Sequence, residues 1–190
     1  MSNIYPWPGK FYLGNPDSPV AIVTLDDKLQ FQEDEVAIWG PMKTENLGIE
    51  KVIANVLSNP NIRFLIVCGN EIRGHKSGKT LVKLVQNGTE ENGRIKDAPG
   101  AVPYIENLDD EAVRRFRDQI TVIDMVGETD LDKIKDNIEY AHENDPGSYG
   151  EPYTAVKIKE KEETTFSADI ALHASIKVDP WGEVSEMEEL

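Results

Sequence analysis

Apolar residues along this chain follow two patterns, short continuous runs and longer stretches with helical spacing. Continuous apolar runs bounded by turn residues predict strands, and apolar positions three and four residues apart predict amphipathic helices. The predicted strands are 20–25, 62–68 and 120–126. The predicted helices lie near 44–59, 77–88, 109–118 and 130–143. The second strand is almost purely apolar, which is typical of a strand buried on both faces of a parallel sheet.

The alternation of strands with helices predicts an α/β fold with a mostly parallel sheet flanked by helices. We expect residues 1–155 to form this domain. Residues 1–19, rich in Pro, Gly and aromatic side chains, are expected to be an extended arm packed on it. Residues 26–43 are predicted to be irregular, with an exposed Trp39.

The end of the chain has a different pattern. Between Phe166 and Val178 every second residue is apolar, which predicts a half-exposed strand or a hairpin. We therefore expect residues 156–190 to be a separate β-type extension with an acidic tail.

Charge excludes one class of function. The formal net charge is -15, and such a surface repels phosphate backbones, so we expect no nucleic-acid partner. No apolar run is long enough to cross a bilayer and the first residues do not have the pattern of a signal peptide. We therefore expect a soluble, cytoplasmic protein without direct membrane insertion. The single cysteine, Cys68, lies in an apolar run and is expected to be a buried thiol.

The most informative polar segment is GHKSGKT, residues 74–80, between the buried strand and the second helix. In open parallel sheets, ligands bind beyond the carboxyl ends of the strands, and the start of a helix can hold an anion. One interpretation is a phosphate-binding loop, because Gly78-Lys79-Thr80 matches the second half of that motif. The required first glycine is replaced by Arg73, and Gly74 leaves the loop one residue short.

A second interpretation makes His75 a metal ligand. Glycines on both sides of a histidine, here Gly74 and Gly78, remove side chains that would collide with a bulky planar ligand. A neutral imidazole is a good ligand when a hydrogen bond holds its other nitrogen. From the residues alone, an exposed or structural histidine remains the competing interpretation.

Two long segments resemble a known family. Residues 43–80 read KTENLGIEKVIANVLSNPNIRFLIVCGNEIRGHKSGKT, and residues 100–131 read GAVPYIENLDDEAVRRFRDQITVIDMVGETDL. Both are similar to the corrinoid-carrying A subunit of tetrahydromethanopterin S-methyltransferase from methanogenic archaea. The resemblance covers most of residues 5–150. It implies a Rossmann-like fold and a cobalamin or related cobamide as cofactor, with His75 as the axial ligand of cobalt.

The chain departs from the family pattern at several points. Members in the sodium-pumping membrane complex carry a C-terminal transmembrane helix, and because residues 156–190 are polar and alternating we expect a soluble homologue instead. Gly40-Pro41-Met42 stands where small residues and a cysteine are expected. Arg73 excludes the D-x-H-x-x-G signature of the commoner cobalamin domains.

The resemblance also implies a set of cofactor-binding residues: Thr44, Glu45, Asn46, Leu47, Gly48, Gly69, Asn70, Gly74, His75, Ser77, Gly78, Pro103 and Tyr104. Competing structural roles stay open for several of them. Thr44 is a good N-cap with Glu45 in the first helical turn, and Tyr104 can be a buried loop anchor.

The activity implied by the resemblance is that of a methyl carrier. Cob(I)amide takes a methyl group from methyl-tetrahydromethanopterin and passes it to the thiolate of coenzyme M, with partner subunits of the methyltransferase activating the methyl group. His75 would bind cobalt in the methylated state and leave it in the reduced state. Two alternatives remain, a nucleotide-binding protein built on the short phosphate loop and a binding module without a cofactor.

Overall fold

A computed structural model of the protein describes residues 4–155, 176–178 and 184–186. The chain divides into two compact units, Met1–Lys157 and Ile158–Leu190. The first unit holds a five-stranded sheet and four helices.

The sheet contains β1 (Tyr12–Leu13), β2 (Val20–Val23), β3 (Ile38–Gly40), β4 (Phe64–Gly69) and β5 (Thr121–Val126). Their order across the sheet is β1-β3-β2-β4-β5. Every neighbouring pair is parallel except β1 and β3, where the arm adds an antiparallel edge strand. The predicted α/β class with a mostly parallel sheet is therefore confirmed.

The helices are α1 (Leu47–Leu57), α2 (Ser77–Asn87), α3 (Asp110–Gln119) and α4 (Leu131–Glu143). Buried residues of α1, α2 and α3 share one core with Ala21, Val23 and Leu65. Buried residues of α4 share a second core with the alternate strand residues Val20, Ile22 and Ile66. Because successive strand residues point to opposite faces, three helices cover one face of the sheet and α4 covers the other.

Residues 26–43 hold the main correction to the predicted elements. This segment contains β3, and Trp39 is 3% exposed rather than exposed. The Trp39 ring stacks on Tyr12 and meets Phe31 edge to face. A three-residue strand carries too few positions for its alternation to be recognised, so the flanking acidic residues dominated the pattern.

The predicted extension lies largely outside the described residues, since 156–175, 179–183 and 187–190 are not described. The residues described in the second unit are β6 (Ile176–Val178) and β7 (Val184–Glu186), which pair antiparallel. Across the described ranges, no helix combines the length and the apolar character that crossing a membrane demands.

Candidate functional site

His75 lies in the loop that joins the carboxyl end of β4 to α2. The loop leaves the strand at Gly69, which has a φ of +84° and packs so closely on the Thr24 carbonyl that a Cβ would collide with it, so only glycine fits. Gly74 has a φ of +87° with open space where a side chain would start. The backbone before His75 is therefore shaped by a glycine that leaves the neighbouring volume free.

The His75 ring is held by one carboxylate. Its Nδ1 lies 2.9 Å from Oε2 of Glu45, whose side chain is 4% exposed against 47% for His75. The other oxygen of Glu45, Oε1, accepts hydrogen bonds from the backbone amides of Ala101 at 3.0 Å and Val102 at 3.2 Å. Glu45 thus connects the histidine loop to the loop that precedes α3.

These contacts favour the ionised form of Glu45. Burial raises the pKa of Glu45, but the hydrogen bonds from His75 and from the backbone amides of Val102 and Ala101 outweigh it, so the pKa lies below its ordinary value of 4.5. An ionised carboxylate only accepts hydrogen bonds, and therefore Nδ1 of His75 is the donor. In the neutral imidazole the lone pair is then on Nε2, which is the tautomer that a metal ion would require at that nitrogen.

A cavity of about 410 Å³ opens beside His75. Gly74, Pro99 and Ala101 line it together with the polar side chains of the loop. Ala101 and Val102 are exposed, and Val102 is 51% accessible. The exposed imidazole therefore shares this cavity with small residues and with the charged side chains of Glu71, Arg73, Lys76 and Lys79.

The N-terminus of α2 argues against the phosphate-loop interpretation. The carboxylate of Glu71 accepts hydrogen bonds from the amides of Gly78 at 3.1 Å and Lys79 at 2.9 Å. These are the amides that a phosphate would need. Ser77 donates its hydroxyl to the Met42 carbonyl at 3.1 Å, so that side chain is engaged as well.

The segment before α1 differs from the expected helix start. The helix begins at Leu47 with Asn46 as the N-cap, so Thr44 is not the N-cap and Glu45 lies before the helix rather than in its first turn. Thr44 Oγ1 instead accepts the Gly48 amide at 2.9 Å. The prediction followed the ordinary rule for a capping Thr followed by an acid, but burial of Glu45 against His75 outweighs that local preference.

The implied cofactor residues fall into two places. Gly74 and His75 line the cavity just described, whereas Thr44, Leu47 and Gly48 line a second, more apolar cavity of about 320 Å³. Glu45 follows Thr44 in the chain and is hydrogen-bonded to His75.

The remaining implied residues have structural contacts. Asn70 binds Asp27 through its backbone amide and its side chain. Gly78 packs so closely under Leu25 that a Cβ would lie 2.8 Å from it. Pro103 is buried and accepts the Ile95 amide, and the backbone of Tyr104 bridges to Arg94. Neither Pro103 nor Tyr104 is among the residues that line the two cavities.

Several residues that hold Glu45 or the start of α2 in place were not predicted from the sequence. Glu71 caps α2, and the pair Ala101 and Val102 supplies the amides that hold Glu45. Gly100 fits against Glu45 and Thr80, where a Cβ would lie 2.8 Å from each. A backbone amide can belong to any residue type, so the sequence does not show which amides bind Glu45. The small residues of Pro99-Gly100-Ala101 do indicate a place where the chain can pack closely on its neighbours.

The other metal-ligating side chains offer no second site. Burial, followed by the negative charge of Asp27, raises the pKa of Cys68 to about 12, so Cys68 is a protonated thiol. His142 Nε2 contacts the Glu35 carbonyl at 2.7 Å. His173 lies outside the described residues. Within the described ranges, no group of three or more His, Cys, Asp or Glu side chains is arranged to hold a metal ion.

Comparison with known proteins gives one consistent family. The family model for the A subunit of tetrahydromethanopterin S-methyltransferase matches residues 2–166. The A subunit from Methanosphaera stadtmanae is 43% identical over 172 residues, which are 86% of this chain and 68% of that protein. The A 1 subunit from Methanothermobacter thermautotrophicus is 46% identical over 160 residues, 81% of this chain and 67% of that protein. The A subunit of a putative methyltransferase, Mtx, from Methanosarcina barkeri is 39% identical over 179 residues, 91% of this chain and 90% of that protein.

Proposed function

Because this chain belongs to the family of the tetrahydromethanopterin S-methyltransferase A subunits, we propose that it carries a corrinoid with His75 as the axial ligand of cobalt. In this proposal it serves as the methyl carrier between methyl-tetrahydromethanopterin and coenzyme M or a related thiol. Partner subunits of a methyltransferase supply the methyl donor and acceptor sites. The cytoplasmic location expected from the sequence is part of the same proposal.

One observation supports the proposal most strongly, the hydrogen bond of 2.9 Å between His75 Nδ1 and the buried carboxylate of Glu45. Metal-ligating histidines characteristically donate their second N–H to a carboxylate, which fixes the tautomer and makes the free nitrogen more basic. A corrinoid would bring most of the ligands of its cobalt itself, so the protein would need to offer a single histidine. His75, with Gly74 beside it, fits that requirement.

When bound, the corrinoid would supply a cobalt centre that accepts a methyl group and releases it to a thiolate. The protein residues have a different task. His75 would hold the cobalt through Nε2. Glu45 would keep the ring in the orientation and the tautomer that this contact needs.

Glu45 also extends the effect of ligation beyond His75. Its second oxygen accepts hydrogen bonds from the amides of Ala101 and Val102, so His75 and the exposed loop around Val102 share one carboxylate. Such a loop is a surface through which a partner subunit could sense the state of the cofactor. The purified chain alone is expected to bind the corrinoid without completing transfer to coenzyme M.

The proposal is tested by reconstitution with hydroxocobalamin. The protein is freed of unbound cofactor, and the retained corrinoid is measured by visible absorbance for wild type, His75→Ala and His142→Ala. We expect wild type and His142→Ala to retain equal amounts with the same spectrum. His75→Ala should retain less, with a spectrum shifted by the change of axial ligand.

The alternatives give different results. Retention of the corrinoid with identical spectra in wild type and His75→Ala would remove His75 from the metal while preserving corrinoid binding. No retention by any of the three proteins would contradict the proposal and favour a binding module without this cofactor. Complete methyl transfer to coenzyme M by the purified chain would contradict its role as a carrier that depends on partners.

A further inference from the structure

The loop of residues 97–108 provides the two backbone amides that bind Glu45, the carboxylate that holds the ring of His75. These amides keep Glu45 in one place only as long as the loop itself is fixed. Two buried polar side chains that the proposed function does not use bind the loop, one before and one after these amides. They are Thr80 of α2 and Glu50 of α1.

Thr80 holds the loop just before the two amides. Its side chain is fully buried, and its Oγ1 accepts a hydrogen bond from the amide of Gly100 at 3.2 Å. Gly100 packs so closely here that a Cβ would lie 2.8 Å from Thr80 Oγ1 and 2.8 Å from Cγ of Glu45. In a phosphate loop this hydroxyl would bind a magnesium ion, whereas here it fixes the residue next to Ala101.

Glu50 holds the loop after the two amides. Its side chain is 1% exposed, and Oε1 accepts the amides of Glu106 at 2.6 Å and Asn107 at 2.8 Å. Oε2 accepts a hydrogen bond from Nδ2 of Asn107 at 2.7 Å. Among the described residues, no cationic side chain forms an ion pair with Glu50. A carboxylate buried without a cation is costly unless donors surround it, and the loop supplies all three of these donors.

The two side chains connect the loop to helices that its backbone bonds do not reach. Backbone hydrogen bonds between 103–105 and 93–95 hold the middle of the loop. Thr80 and Glu50 add one link to α2 and one to α1. Neither side chain lines either cavity, so their effect on the site is transmitted through the loop.

We infer that Thr80 and Glu50 are positioning residues for the proposed cobalt ligand. By fixing the loop at both ends, they keep its two amides on Glu45 and thereby hold the ring of His75 in one orientation. The inference rests on the proposed function for the identity of the ligand, whereas the state of the ring can be measured without a cofactor.

NMR of the full chain labelled with ¹⁵N-histidine tests the inference. The two ring nitrogens of His75 are assigned by comparison with His75→Ala and observed at about pH 8.5, where an imidazole with the ordinary pKa of about 6.5 is neutral. We expect the wild-type ring to carry its proton on Nδ1. Thr80→Val, which removes the acceptor of the Gly100 amide, and Glu50→Gln should each increase the share of the other tautomer several-fold.

Asn107 offers a rescue of Glu50→Gln. In that variant Oε1 can still accept the two amides, but Nε2 replaces Oε2 and faces Nδ2 of Asn107, donor against donor. Asn107→Asp supplies an acceptor, so the double variant should return the His75 signals toward those of wild type. Asn107→Asp alone places two carboxylates together and should disturb them. A double variant as disturbed as Glu50→Gln would overturn the inference for Glu50.

Ser18→Ala is the control for a merely structural effect. Ser18 is 2% exposed and donates its hydroxyl to the Glu35 carbonyl at 2.7 Å, before β2 and therefore at the opposite end of the sheet from His75. Its loss should destabilise the fold about as much as Thr80→Val and leave the His75 signals unchanged. Equal changes of these signals in Ser18→Ala and Thr80→Val would overturn the inference.

Retention of hydroxocobalamin separates this inference from the proposed function. Wild type and Ser18→Ala should retain equal amounts, and Thr80→Val and Glu50→Gln several-fold less. Ring signals that stay as in wild type in Thr80→Val and Glu50→Gln would overturn the inference and leave the proposed function intact. Ring signals that change as expected, in a chain that retains no corrinoid, would overturn the proposed function and still support the positioning of His75 by Thr80 and Glu50.

Discussion

The chemistry of His75 is set by a side chain thirty positions away in the sequence. Glu45 is buried, ionised and bonded on both oxygens, so its preference for accepting hydrogen bonds places the proton of His75 on Nδ1. In the neutral ring the lone pair is then on Nε2. A histidine without such a partner would divide its population between two tautomers and would rotate.

Replacing Glu45 by Gln is expected to weaken cobalt ligation and to change the pH dependence of stability. The folded-state pKa of Glu45 is below 4.5, so its contribution is fully present above 4.5 and is lost as the pH falls through the folded-state pKa. Near neutral pH we expect Glu45→Gln to lower the free energy of unfolding by about 1–3 kcal/mol. The difference from wild type should shrink below the ordinary carboxyl pKa. Denaturant unfolding at several pH values measures it.

The exposed Glu106 provides the control, because Glu106→Gln removes a charge from the same region without breaking a side-chain hydrogen bond. Its stability should match that of wild type at each pH. Cobalt affinity should fall about 10- to 100-fold in Glu45→Gln, as for other partners of metal-binding histidines, and remain unchanged in Glu106→Gln. A stability difference for Glu45→Gln that is constant with pH would contradict the assigned role of the carboxylate.

At the scale of elements, two carboxylates, Glu50 in α1 and Glu71 before α2, bind backbone amides. Glu50 of α1 is buried and accepts the amides of Glu106 and Asn107 together with the side chain of Asn107. Glu71 lies outside α2 yet caps its first amides. These acids bind backbone groups of loops and helix ends, so they order the surroundings of the site rather than simply making the surface soluble.

The Glu71 cap leads to a prediction about α2. Removal of its carboxylate in Glu71→Ala leaves two amides without a partner and takes a negative charge from the positive end of the helix, so the free energy of unfolding should fall by about 1 kcal/mol. Glu91→Ala, at an exposed position, is the control and should be neutral. Thermal or denaturant unfolding provides the measurement. Equal stability of both variants would show that the cap contributes nothing.

The sequence predicts a helix or strand well where the apolar spacing of that element's own residues is regular. The apolar run ending at Cys68 and the spacing in α2 and α4 were recognised because each element buries a regular set of side chains. β3 was missed because its three residues gain their strand conformation from the neighbours on either side. Thr44 was misassigned because a tertiary contact of the next residue, Glu45, competes with the local capping rule.

At the scale of the whole molecule, the parallel sheet brings together segments that are far apart in the chain. The loops after β3 and β4 leave neighbouring parts of one sheet edge, and β2 lies between these strands. Backbone amides of the 97–108 loop bind Glu45, just before α1, and Glu50 within α1. The sequence predicted the edge as the place for a ligand and His75 as a candidate, but a partnership across 30 residues depends on how the loops fold over one another.

The axial ligand can be identified by electron paramagnetic resonance of the cob(II) form bound to protein labelled with ¹⁵N-histidine. Cobalt coupled to ¹⁴N splits each line into three, and cobalt coupled to ¹⁵N splits it into two, so the label distinguishes a protein histidine from the base of the cofactor. The chain has three histidines, and His75→Ala assigns the signal to one of them. We predict twofold splitting in the labelled protein that disappears in His75→Ala. Threefold splitting that persists in the labelled protein would contradict histidine ligation and, with it, the role assigned to His75 and Glu45.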